Sequence, residues 1–237
     1  MIKVDFSHYS RGELQEMLAA GYEIKECYRV LEKVSGNVVG EILRMSGTFY
    51  EWDHYPDGDV YDSETHSQYY YHAHRSEFEE HGHFHTFLRR KGIPRKIKPV
   101  DYDGETAWPT GNDVLSHIIG ISMEKKGYPT HLFTTNRWVT GENWFRAEDV
   151  IEMSRMFLMD HSWPSWPTNR WITAVVKLFH PQIATLLLQR DARIAEWQAA
   201  HPDRDVFEDR DLEITSYSAI SVETQMRLIN QALEKAA

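Results

Sequence analysis

In the run Tyr70-Tyr71-His72-Ala73-His74-Arg75-Ser76-Glu77-Phe78-Glu79-Glu80-His81-Gly82-His83-Phe84-His85, histidine recurs at every second residue within two short blocks. In a β-strand, residues i, i+2 and i+4 project to one face, so each block read as a strand presents a row of imidazoles on one side. The stretch from Arg75 to Glu80 is short and charged enough to be a hairpin loop, which makes antiparallel pairing the simplest connection. Pairing His74 with His81 also sets His72 against His83 and Tyr70 against His85. All five rings then share one face, whereas a slip of one residue would put the two rows on opposite faces.

Five imidazoles on one patch would repel one another if protonated and compete for few hydrogen-bond partners if buried and neutral. A divalent cation resolves both problems. Neutral imidazole binds Zn, Fe, Cu and Ni, and Glu79 and Glu80 lie close enough to add a carboxylate. The bland alternative is a pair of amphipathic strands with partly solvated histidines and no ion. The expected ligands are His72, His74, His83 and His85, with His81 and Glu80 as alternates, because a site that keeps positions for substrate cannot use all five rings.

The chain has 237 residues, enough for a substantial core, and 41% of them are hydrophobic. Its lone cysteine, Cys27, makes neither an internal disulfide nor a thiolate-rich cluster, so a metal must rely on histidine and carboxylate. A net charge of −10 argues against nucleic acid as a partner. The basic stretch from Arg89 to Lys98 is a local exception that reads as a solvated loop. No apolar run is long enough to span a bilayer, and the opening MIKVDFSHYSRGEL lacks the apolar region of a secretory signal, so a membrane is not expected and cytoplasmic residence is.

Along the chain, residues 10–46 read as helical, opening on the capping-box pattern Ser10-Arg11-Gly12-Glu13. Residues 48–145 are β-rich, with a turn at Tyr55-Pro56-Asp57-Gly58-Asp59, the histidine hairpin, and a second hairpin joining Ser116–Met123 to His131–Val139. Residues 147–237 are mainly helical, with Pro181 at the head of one helix, a strand from Glu213 to Ile220 and a closing helix from Val222 to Lys235. The expectation is one α+β domain over residues 1–237, a mainly antiparallel central sheet flanked by N-terminal and C-terminal helices.

The spacing His72-x-His74-x-x-x-x-Glu79 resembles the first metal motif of cupins, and His131 ahead of Asn136 is similar to their second motif. That resemblance implies a metal held by histidines and a glutamate inside a small barrel, although the glycines that bracket both cupin motifs are missing here. His81-Gly82-His83-Phe84-His85-Thr86-Phe87 resembles the alternating triad of histidine-triad nucleotide hydrolases, which implies attack on a phosphate by the middle histidine. Gly82 and Thr86 stand where that family is usually hydrophobic.

Phosphate-loop, dinucleotide, serine-elbow and His-Glu-x-x-His patterns are all absent from the sequence. The function expected is therefore that of a metal-dependent enzyme, a hydrolase or a non-haem iron oxygenase, whose zinc or iron activates water or dioxygen on a small-molecule substrate. Arg137, with Asn136 and His131 beside it in the second hairpin, is the candidate for holding an anionic substrate. The rival readings are a structural metal site without a reaction and a metal-free adaptor that binds a partner.

Overall fold

The computed structural model describes residues 2–44, 46–47, 50, 53–72 and 80–235. Helix α1, Arg11–Glu32, begins at the expected capping box: Ser10 Oγ accepts the Glu13 N–H at 3.3 Å, and Glu13 Oε2 accepts the Ser10 N–H at 2.9 Å. Such a cap contributes about 1 kcal/mol. The buried stripe Leu14, Met17, Gly21, Ile24 and Leu31 follows helical spacing and turns inward. It packs on α5, Trp166–Leu178, and on α7, Val222–Lys235. At the second contact Gly21 lets the helices approach, since a Cβ there would stand 2.5 Å from Met226 Cγ.

Against these helices lies a six-stranded sheet in which every neighbouring pair is antiparallel. Its strands run in chain order: β1 Tyr55–Tyr61, β2 Ser67–His72, β3 Gly82–Arg89, β4 Leu115–Met123, β5 Pro129–Thr135 and β6 Ile214–Ala219. Before β6 joins the edge, the chain passes through α4, Ala147–Ser154, through α5, and through α6, His180–Ala200, where Pro181 takes the first-turn position. The architecture is the α+β class expected from the sequence. No single helix among the described residues is long and apolar enough to cross a membrane.

Side-chain alternation divides the sheet into two faces of different chemistry. Tyr69, Tyr71, Phe84, Ile119, Ile121 and Leu132 enter the main apolar core with Leu14, Ile24, Trp171 and Val175 from the helices. Full burial of each such side chain is worth about 1.5–3 kcal/mol. The alternate residues Tyr70, His72, His83, His85, Phe87 and Phe133 form the second face. These too are buried, so every residue of β2 is buried although only half of them meet the helices.

Two expectations are corrected. The segment from Tyr55 to Asp59 is not a turn but the start of β1. Its turn-forming residues are absorbed in a bulge, with Gly58 at φ 80° and Asp59 at φ 59°, between the Tyr55–Tyr71 and Val60–Tyr69 pairs. The strand expected to reach Val139 stops at Thr135. Asn136 Oδ1 accepts the Arg137 N–H at 2.8 Å and caps the short helix α3, Arg137–Thr140, so Arg137 leaves the sheet altogether.

Candidate metal centre

Strands β2 and β3 pair His72 with His83 and Tyr70 with His85, the register that brings the histidine rows to one face. The ring centroids of His72 and His83 are 4.6 Å apart, those of His83 and His85 4.9 Å, and those of His72 and His85 5.4 Å, all nearly perpendicular. One nitrogen from each ring lies within 4.8 Å of the others, and all three residues are buried. Three nitrogens each about 2.1 Å from one ion are about 3.0–3.4 Å apart, so modest side-chain rotation would close this triangle on a cation.

Two of the rings are oriented from behind. His83 Nδ1 meets Glu80 Oε1 at 2.7 Å, with the Glu80 side chain 4% exposed. His85 Nδ1 meets His117 Nε2 at 3.0 Å. An Nδ1–H directed to either acceptor fixes the tautomer that carries its lone pair on Nε2, the arrangement usual for metal-bound histidine. Glu80, an alternate ligand by sequence, thus stands behind His83.

His117 escaped sequence reasoning because a bulge puts it there. Thr86 pairs with Ile119, but Phe87 pairs with His117, so Ile118 is the extra residue. Without it His117 would oppose Leu88 and face the helices. The Thr86 hydroxyl bridges the interruption, donating to Ile119 O at 2.8 Å and accepting the Ile119 N–H at 3.2 Å. The main-chain N–H of His117 donates to Glu142 Oε2 at 2.6 Å. Glu142 is only 1% exposed, and burial pushes its carboxyl up to about 7 against the opposing pull of Arg190, the His117 N–H and Arg137.

Aromatic side chains wall the cluster. Gly120 lies between His85 and Phe133 in the sheet, and a Cβ there would stand 2.3 Å from Phe133 Cζ. Its absence lets the Phe133 ring lie across the strand with its centroid 5.3 Å from that of His83 and 5.6 Å from that of His85. On the other side His54 stacks on Tyr70 at 3.7 Å and lies edge-on to His72 at 5.4 Å. His54 also lines an open cleft of about 670 Å³ with Tyr50, Asp53 and Trp163.

The remaining candidates are dispersed. His74 and Glu79 lie outside the described residues. His81 precedes β3 and directs Nδ1 to the Tyr71 hydroxyl at 2.7 Å, on the side of the sheet that meets the helices. Burial holds its pKa below the ordinary histidine value. His131 shares the histidine face but stacks on Tyr217 at 4.4 Å, with β4 between it and β3. Asn136 is spent as the helix cap and donates to Val206 O at 2.7 Å. The Arg137 guanidinium, 6% exposed, ion-pairs with Glu208 and donates through Nε to Glu142 O at 2.9 Å.

The order β1 to β6 leaves the two end strands unpaired with each other, so the described sheet is not the closed barrel of a cupin. No curated protein and no solved structure matches the chain. A family model described as a domain of unknown function, DUF6969, matches residues 18–220, and the chain belongs to that family.

Proposed function

We propose that the chain is a metal-dependent enzyme whose ion is held by His72, His83 and His85 and which activates water or dioxygen on a small, anionic substrate. The observation that carries this reading is the convergence of three buried imidazole nitrogens within 4.8 Å of one another. Oriented second partners for two of the rings add to it. Three neutral protein ligands fit a centre that keeps a coordination position for an exchangeable group, as catalytic zinc and iron sites do. Zinc or iron bound there would supply Lewis acidity and bring the pKa of a coordinated water toward about 7. The neutral ligand set leaves the dication uncompensated among its ligands, which favours an anionic substrate.

Elemental analysis of untagged protein, purified without added metal, tests the reading. The expected result is one zinc or iron per chain, lost in the His72→Ala/His83→Ala double variant. His201→Ala should retain it, because His201 ends α6 and directs its Nδ1 to Trp197 O. Unchanged metal content in the double variant overturns the centre.

A further inference from the structure

The β3–β4 ladder sets Ser122 directly opposite His83, and the β4–β5 ladder sets the same serine opposite His131. Residues directly opposite in an antiparallel pair share a face, with Cβ atoms about 4.5–5.5 Å apart. Ser122 therefore projects its hydroxyl into the histidine face, one strand from a candidate ligand. It is 2% exposed, and its Oγ has no hydrogen-bond partner among the described residues.

Most other buried hydroxyls of this sheet are accounted for within the protein, although Thr135 Oγ1 shares with Ser122 the lack of a partner among the described residues. Thr86 bonds Ile119 O, Thr134 bonds Thr215 and Ser216, and Ser216 donates to Leu186 O. A buried hydroxyl left unsatisfied is destabilising, a cost that alanine would avoid with nearly the same packing. A ligand that carries an acceptor would supply the partner this hydroxyl lacks among the described residues.

Building on the three-histidine centre proposed above, we infer that Ser122 hydrogen-bonds a small carboxylate bound at the exchangeable coordination position beside His83. The serine donates its O–H to one carboxylate oxygen while the other reaches the ion. The positive charge of the ion supplies affinity and the directional hydroxyl supplies orientation. Phe133 and Tyr70 flank the rings, so the ligand expected is a short one. Ser122 is a binding residue in this scheme, and its hydroxyl neither ligates the metal nor exchanges a proton with it.

The test uses the full chain loaded with cobalt(II), whose visible absorption reports a change of ligand, titrated with acetate. Wild-type protein should respond with saturable binding. Ser122→Ala should take up cobalt equally well but bind acetate on the order of tenfold more weakly, and Ser122→Thr, which keeps the hydroxyl, should recover most of the loss. Equal acetate affinity in wild type and Ser122→Ala overturns the role of the hydroxyl and leaves the metal centre standing. Cobalt uptake without any response to acetate overturns the carboxylate position. Failure of the wild-type chain to take up cobalt overturns the centre itself, and this inference with it.

Discussion

His85 Nδ1 lies 3.0 Å from His117 Nε2, a contact between adjacent strands made possible by the one-residue bulge at Ile118. The two rings are not equivalent in their service. His85 belongs to the group of three that converge, whereas His117 stands behind it and, by accepting an Nδ1–H, would leave the His85 lone pair on Nε2.

Replacing His117 by alanine should therefore weaken metal binding by roughly 10–100-fold without abolishing it, the usual cost of losing an outer partner of a metal-bound histidine. Competition against a chromophoric chelator measures the difference directly. An affinity equal to that of the wild type would show that His85 needs no such orientation. A complete loss would place His117 among the ligands.

Arg137→Ala should lower the melting temperature and leave metal content unchanged. Its guanidinium bridges the Glu142 carbonyl and the Glu208 carboxylate, tying α3 to the segment before β6, and lies 5.5 Å over Trp108. Removing one partner of a largely buried pair destabilises by about 3 kcal/mol. Thermal unfolding monitored beside elemental analysis separates the two effects. An unaltered melting temperature with weakened acetate binding to the cobalt-loaded chain would restore Arg137 as a substrate-binding residue.

The sequence made His72, His83 and His85 legible because strand alternation and a short charged connection leave few registers that bury one row of rings together. It hid His117, since one inserted residue changes which face a side chain takes and nothing in Ser116-His117-Ile118-Ile119 announces the insertion. Arg137 stands on a helix and not on the expected strand for a related reason. Thr134-Thr135-Asn136-Arg137-Trp138-Val139 has the composition of a continuing strand, but the Asn136 side chain satisfies the N–H of the following residue and starts a helix. The first strand was obscured by residues that favour turns. Tyr55-Pro56-Asp57-Gly58-Asp59 forms a bulged edge strand, a place where proline and left-handed residues are tolerated because half of the backbone groups need no ladder partner. The burial of both sheet faces was equally invisible, since the histidines and tyrosines of the second face are polar enough to suggest solvent.

Glu142 yields a prediction whose sign follows from its titration. Unfolded, its carboxyl has the ordinary value of 4.5, and in the fold burial raises it to about 7. Below 4.5 both states hold the proton and its contribution to stability is constant. Between 4.5 and 7 the folded state holds more protons than the unfolded one, so this contribution is lost progressively as pH rises. Above 7 the full penalty of a buried carboxylate is present. Glu142→Gln keeps an oxygen to accept the His117 N–H and has no charge to bury. The melting temperature of the variant relative to wild type should therefore climb by a few degrees as pH increases from 4.5 through 7, and hold steady beyond. Paired thermal scans of metal-stripped protein across that range check it, because stripping keeps metal affinity out of the comparison. A difference that is flat with pH would mean that Arg190 and Arg137 hold the carboxylate ionised in the fold. A difference that grows toward acid would mean that the charged form is the one the fold prefers.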